Sequence, residues 1–317
     1  MGATACSLGD DPSKCVGGIC QRPGRAGFDD GVNPPEYFPG SQAHEVDMHP
    51  SQSRRRQEDS FESYLGRDLA ELLHMQNQRV ILNGDSLEYA FRSGAVYRGQ
   101  WRNNARHGLG TQVWPDGARF TGCWNENLAE GQGKFEHADG DVFIGEWKRN
   151  AAEGLGRYTH AKLGITITGE WAEDVQHGFG VEMWAGGARF EGQYRFGQKQ
   201  GLGIYRWPDG SVYSGQWRND TIGGYGHYQG QDGREFKGMW DGAIIHGCGV
   251  YIWPDGRMFR GQYANDRKHG FGVYTWSDQR SFEGFWKDGK QHGPGVIKSA
   301  EGKALKHGTW ENGRLVD

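Results

Sequence analysis

From residue 87 to the C-terminus, apolar and polar positions alternate in short runs, and the apolar positions are mostly aromatic rings and glycines rather than aliphatic side chains. A period of two marks a β-strand with one buried face. In Phe120-Thr121-Gly122-Cys123-Trp124 the ring, the glycine and the Trp fall on one face. In Gly203-Ile204-Tyr205-Arg206-Trp207 the glycine shares its face with Tyr and Trp. Asp-Gly joins such runs at 116–117, 139–140, 209–210, 232–233 and 255–256, which predicts β-hairpins closed by type I′ turns with positive φ at both central residues. The period changes upstream. Phe61, Leu65, Leu69, Leu72, Gln76 and Val80 fall at helical spacing, so 59–82 is expected to form one amphipathic helix capped by Asp59 or Ser60. Residues 1–58, rich in Gly, Pro, Asp and Ser and without periodicity, are expected to form a disordered tether.

The alternation is itself repeated. Aromatic-x-Gly-x-aromatic occurs at Tyr97–Trp101, Phe120–Trp124, Phe143–Trp147, Phe190–Tyr194, Tyr213–Trp217, Phe236–Trp240, Phe259–Tyr263 and Phe282–Trp286. A weaker copy, Ile167-x-Gly169-x-Trp171, stands between the third and fourth of these. The steps are 23 residues except one of 24. A Gly-x-Gly signature, often after His, follows in register from Gly108-x-Gly110 to Gly293-x-Gly295. A half-unit (Phe91, Gly94) precedes and a truncated unit (His307, Gly308, Trp310) follows. A lone hairpin is marginal in water, so nine stacked hairpins should form one extended sheet, with bare glycine leaving room for a ring from the neighbouring hairpin. At ~4.8 Å per strand the array 87–312 should measure roughly 90 Å. The unit at 157–171 carries Lys162-Leu163-Gly164 in place of Asp-Gly, one extra residue, and Ile167 in place of the ring, so an irregularity is expected at 160–168.

Composition agrees with turns and packed rings: 54 of 317 residues are glycine and 13% are aromatic. The net charge of −4 gives no sign of a nucleic-acid partner. It is unevenly placed, with 8 Lys/Arg against 13 Asp/Glu in 1–86 and 28 against 27 in 87–317. No apolar run approaches the ~20 residues of a membrane span, and no signal peptide is evident. Five cysteines (6, 15, 20, 123 and 248) without dense spacing read as reduced and intracellular.

The pattern Tyr/Phe-x-Gly-x-Trp, His-Gly-x-Gly and Asp-Gly, present in nine copies over about 87–310, resembles the MORN (membrane occupation and recognition nexus) repeat. Members of that family fold as elongated, twisted, single-layer β-sheets. They occur in junctophilins, in some lipid kinases and methyltransferases, in ciliary radial spokes and in cortical scaffolds of protist parasites. The resemblance implies an all-β architecture and a scaffold role. No catalytic motif accompanies the repeats here, so no enzyme and no cofactor is expected.

Three sets of residues are candidates for function. Gly2 followed by small residues resembles an N-myristoylation site, and Cys6 is placed for palmitoylation; one acyl chain binds membranes only marginally, so a second would be needed. The row Trp184, Tyr205, Trp207, Tyr251, Trp253, Tyr274 and Trp276 is either core or the lining of an aromatic groove suited to a partner helix or peptide. The helical residues Phe61, Leu65, Leu69 and Leu72 either cover the open edge of the first hairpin or bind a partner. Histidines at 107, 177, 246, 269, 292 and 307 recur once per repeat, ~10 Å apart, too far for a shared metal. The function expected is a non-enzymatic scaffold at the cytoplasmic face of a plasma or cortical membrane that recruits partner proteins. The alternatives are a cytoskeletal or axonemal subunit, as a monomer or a homodimer, and a phospholipid-binding module.

Overall fold

The computed structural model describes residues 61–77 and 82–317. They form a single open antiparallel sheet of 21 strands, from β1 (Gly84–Ala90) and β2 (Val96–Arg102) through β3 (Ala105–Val113) to β20 (Ala304–Glu311) and β21 (Arg314–Leu315). Every strand pairs with its neighbours in sequence, so the chain is one long meander. The all-β expectation holds. The predicted tether with Gly2 and Cys6, and both ends of the predicted helix, lie outside the described residues.

Glycine sets the register. Gly99 pairs with Gly110, Gly110 with Gly122 and Gly122 with Gly133, and the row continues unbroken to Gly295 and Gly308. A side chain cannot enter it. A Cβ on Gly133 would lie 2.6 Å from Cζ of Phe120 and 3.0 Å from Cδ1 of Trp147, one ring from its own hairpin and one from the next. Each repeat's first ring stands edge-on between two larger ones. Phe120 lies 5.0 Å from Trp124 and 5.0 Å from Trp147, with interplanar angles of 86° and 80°. Phe190, Phe259 and Phe282 repeat the arrangement. Edge-to-face pairs contribute ~0.5–1.5 kcal/mol beyond the area they bury. The core is therefore a zipper of T-shaped rings lying on a strip of bare backbone.

The zipper has one break, inside the unit expected to be irregular. The turn there is one residue longer, with the Gly164 N–H donating to the His160 carbonyl. The strands on either side keep the glycine register, Gly156 with Gly169 and Gly169 with Gly180. Ile167 fills the place of the ring. One buried cluster ends at Trp171 and Ile167, and a second begins with Ala188, Phe190 and Tyr194.

The turns differ from expectation. At Trp-Pro-Asp-Gly, the Gly117 N–H donates to the Trp114 carbonyl and the Trp114 N–H to the Ala118 carbonyl. Gly117 alone has positive φ (93°), while Asp116 does not. This is a type I turn followed by a G1 bulge, not type I′. Proline suits the first central position of a type I turn, but the same hydrogen bonds at His137–Gly140 and Gly230–Gly233, where Ala138 and Gln231 take its place, show that the turn forms without it. The type I′ turns lie at the opposite ends of the strands, at Asn103-Asn104 (50° and 60°), Glu126-Asn127 (46° and 73°) and Asn265-Asp266 (50° and 64°).

These turns also tie each repeat to the one before. The Asn127 N–H donates to the Arg106 carbonyl at 3.0 Å while its Oδ1 accepts the Arg106 N–H at 2.8 Å. Asn150 clasps Ala129, Asp220 clasps Lys199 and Asp266 clasps Ile245 in the same way.

Candidate functional site: the ring face of the sheet

The single helix expected over 59–82 is two, α1 (Phe61–Gly66) and α2 (Leu69–Gln76), broken at Arg67-Asp68. The break has a use. The Asp68 carboxylate accepts a hydrogen bond from Gln112 Nε2 at 2.8 Å, and Gln112 Oε1 accepts one from the Arg106 guanidinium. Arg106 is fully buried, lies 4.0 Å over the Trp124 ring and donates to the Asn127 carbonyl at 2.7 Å. Burial pushes its pKa down to about 9, against the opposing pull of Asp68. Asp68 and Asn127 thus complete a chain from the helix break to the first turn clasp.

The two helices lie on the ring face: α2 reaches the first hairpin at Tyr89 and Arg92, and α1 lies over the repeats that follow. Phe61 reaches Phe135 (5.1 Å), Trp147 (5.0 Å) and Phe143 (5.6 Å). Tyr64 stacks edge-on against Trp114 and Phe135 and donates its hydroxyl to Asp116 at 2.7 Å. Leu65 and Leu72 are fully buried, and Leu69 packs beside them. Glu71 accepts from the Tyr89 hydroxyl and the Arg92 N–H, and Asn104 Nδ2 donates to the Met75 carbonyl. All four helical candidates therefore point into this chain's own sheet.

The second half of the same face has no such cover among the described residues. Here the row proposed from sequence splits in two. Tyr205, Tyr251, Trp253 and Tyr274 are buried, and burial pushes Tyr205 and Tyr251 up to about 12. Trp184, Trp207 and Trp276 stay partly open, whereas Trp114, at the equivalent position under α1, is 2% exposed.

Sequence reasoning missed the cations beneath these rings. At the second position after each type I′ turn the chain carries Arg106, Ala129, Ala152, Gln176, Lys199, Ile222, Ile245, Lys268 and Gln291. Lys199 meets Glu182 at 2.8 Å, and Glu182 also accepts the Tyr194 hydroxyl at 3.0 Å. That cluster opens the second core block, where burial and Glu182 together raise the Tyr194 pKa well above the usual range. Lys268 is fully buried among Trp253, Phe259, Tyr274 and Trp286, with its ammonium 5.0–5.5 Å from each ring centre. The 23-residue register would have placed these residues on the ring face, but nothing in their identity separates them from surface lysines.

Among the described residues no group of three His, Cys, Asp or Glu is placed to hold a metal, and no helix is long and apolar enough to cross a membrane. Cys123 and Cys248 are free thiols.

No curated protein matches the chain. Among solved structures it is similar to the TCP10 domain of Danio rerio CPAP in complex with a peptide of Danio rerio STIL. That match has 14% identity over 71% of this chain and 100% of the other, with a TM-score of 0.38. It is also similar to the Drosophila melanogaster SAS-4 TCP domain in complex with a proline-rich motif of Ana2, at 13% identity over 58% and 96%, with a TM-score of 0.32. The MORN repeat model matches nine times, at 97–119, 120–142, 143–162, 168–189, 190–212, 213–233, 236–256, 259–279 and 282–303. With most of its length in those nine units, the chain belongs to the MORN repeat family.

Proposed function

We propose that this protein is a non-catalytic interaction scaffold whose uncovered ring face, around Trp184, Trp207 and Trp276, takes a short amphipathic segment of a partner protein. One observation carries the reading. The first repeats present the same rings in the same register, and there the face is occupied by two short helices that insert Phe61, Tyr64, Leu65 and Leu72. The second half offers equivalent Trp positions with no occupant among the described residues. Rigid aromatic anchors at the centre of a preformed surface are the usual energetic focus of such contacts. The partner would carry a ring or branched aliphatic at helical spacing, as α1 and α2 do.

We further propose that acylation at Gly2, with Cys6 as the second anchor, holds the scaffold at the cytoplasmic face of a membrane. Proximity labelling in cells tests both parts separately. The triple variant Trp184→Ala/Trp207→Ala/Trp276→Ala should lose the partners labelled by the wild type while keeping its location. Gly2→Ala should leave the membrane fraction. A triple variant with an unchanged labelled set sinks the ring-face reading; Gly2→Ala protein still at the membrane sinks the acylation reading. Loss of Gly2-dependent location together with co-sedimentation on cytoskeletal filaments would favour a structural subunit instead.

A further inference from the structure

The face opposite the rings carries a second, outer row, and no described part of the chain covers it. The middle residue of Gly-x-Gly points away from the ring face, and from the third unit onward it is mostly large and apolar. Leu155, Phe179, Leu202, Tyr225 and Phe271 hold this place and are 45–64% exposed. Two residues further along their strands, Val181, Ile204 and Val273 stand half-buried beside them, where the first repeats carry Thr111, Lys134 and Arg157. The polar side chains between these rungs are turned to the backbone. Gln193 Oε1 accepts the Leu202 N–H at 2.8 Å, Gln216 Oε1 the Tyr225 N–H at 2.8 Å and Gln262 Oε1 the Phe271 N–H at 2.9 Å. The apolar side chains therefore project beyond them. The two flanks of the row differ in charge. On one, Arg189 and Arg206 both meet Glu191. On the other, Arg195 and Arg218 hold the same place in consecutive units, both exposed, and among the described residues neither meets a carboxylate.

We propose that the outer row docks a helix of a partner protein, one with apolar residues at a seven-residue spacing and acidic residues along one side of that seam. Spacing and backbone chemistry select a helix. Rungs two strands apart are separated by ~9.6 Å, and seven residues of α-helix rise ~10.5 Å, so over four units the two ladders drift by roughly 4 Å, less than half a rung. A helix also closes its own hydrogen bonds, whereas an extended chain laid across the strands would press unpaired N–H and C=O groups onto an apolar strip. On the ring face α2 and α1 already take this course, crossing the strands along the array from Tyr89 to Trp147. Charge selects the side: Arg195 and Arg218, one repeat apart, each face an acidic residue one heptad apart. The area agrees. From β7 (Ala151–His160) to β18 (Ser281–Lys287) the row is about 50 Å long and, at two side chains, about 13 Å wide. That gives roughly 650 Å², within the ~600–1,000 Å² each partner contributes to a standard interface. Two arginines on a near-neutral array give little pull toward an anionic membrane or nucleic acid.

Fluorescence anisotropy with a synthetic probe and the full chain, produced without acylation, tests the assignment. The probe is a labelled four-heptad helix with Leu at one seam position of each heptad, Ala at the other, so that it does not pair with itself, and Glu along one side. Wild type should bind it at micromolar concentration. Leu202→Glu puts a carboxylate into the seam and should weaken binding roughly 30-fold or more. Arg195→Glu/Arg218→Glu should weaken it roughly 10-fold, and a probe carrying Lys in place of Glu should recover the loss. Because these positions face solvent, the far-UV spectrum and Tm should be unchanged, which separates a lost surface from a lost fold. Trp207→Ala, on the opposite face, should leave binding as it is. A wild type that does not bind the probe overturns the proposal, as does binding that Leu202→Glu leaves intact. Binding lost with Trp207→Ala instead moves the probe to the ring face and overturns it too. An arginine reversal that the Lys probe does not rescue overturns the acidic side of the seam. Wild type that ignores the probe but floats with phosphatidylserine/phosphatidylcholine vesicles, and loses this with Leu202→Glu, reassigns the row to a lipid surface. The ring-face reading is decided separately, by the triple Trp variant.

Discussion

Two halves of one face carry the same rings in the same register and have different surroundings. Over the first repeats α1 and α2 close the face, and Trp114 is almost wholly removed from water. Over the later repeats Trp184, Trp207 and Trp276 hold the equivalent place and remain partly open, while Trp253, beside the buried Lys268, is itself buried. The contrast separates two roles of the rings. Edge-to-face packing between consecutive repeats holds the sheet together in both halves alike, so the array does not depend on a cover. What the cover changes is what the face can still accept. Burying the Phe61 side chain contributes about 2–3 kcal/mol of apolar transfer.

The sharpest way to break the comparison is to strip the cover. Phe61→Ala should cost about 3 kcal/mol, because the ring leaves a void among Phe135, Phe143 and Trp147. Hydrogen exchange should quicken over 96–148 and stay unchanged over 244–287; equal quickening in both segments would mean that the halves are one cooperative unit. Next in size is a paired overpacking test. A Cβ on Gly156 would meet Phe143 Cε2 at 2.6 Å, and one on Gly272 would meet Phe259 Cε2 at 2.6 Å. Phe143 is backed by Phe61, whereas among the described residues no helix lies over Phe259. Urea titration should therefore show Gly156→Ala costing about 3 kcal/mol and Gly272→Ala about 1–2 kcal/mol.

A smaller effect should follow from Ile167→Phe, which restores the missing ring between the two core blocks. It is expected to add about 1 kcal/mol and to merge two unfolding steps into one, seen as a steeper denaturant slope. The smallest concerns the turn clasps. Burial raises the Asp266 pKa, so the native state holds its proton more tightly than the unfolded chain. Its contribution to stability is full below the unfolded value, near pH 4, and is lost as pH rises through the raised native value. Asn already serves at 104, 127 and 150. Asp266→Asn should thus raise Tm by about 1–2 °C at neutral pH, and the gain should vanish in acid. A gain that persists below about pH 4 would show that charge is not its source.

The fold was legible because its two determinants repeat. The rings and glycines recur every 23 residues, and period-two alternation assigns them to one face without further information. The break at Ile167 was legible for the same reason, as a departure from a known register. The turns misled because Asp-Gly is compatible with two hairpin geometries, and only the preceding proline, present in three copies, argues for the bulged one. The tight turns at 103–104 and 126–127 were overlooked because Asn in a second position with no glycine is a weaker signal. The helical segment was read correctly as amphipathic, but its destination is a contact over tens of residues: Tyr64 with Asp116, Asp68 with Gln112. No local pattern encodes such a pairing. The outer row was present in the sequence as the apolar middle of Gly-x-Gly, hidden because a ring-rich repeat draws attention to the opposite face.

Each clasp points backward. Asn127 grips Arg106, Asn150 grips Ala129 and Asp266 grips Ile245, always the preceding unit and always some twenty residues upstream. A chain leaving the ribosome thus finds the docking place for every new hairpin already built. Assembly can proceed like a ratchet from the helix-covered end, closing loops no longer than one repeat at each step. Four clasps, at Gly197, Ala243, Gly289 and Gly313, have no polar side chain to grip with and hold the preceding unit by the backbone N–H alone.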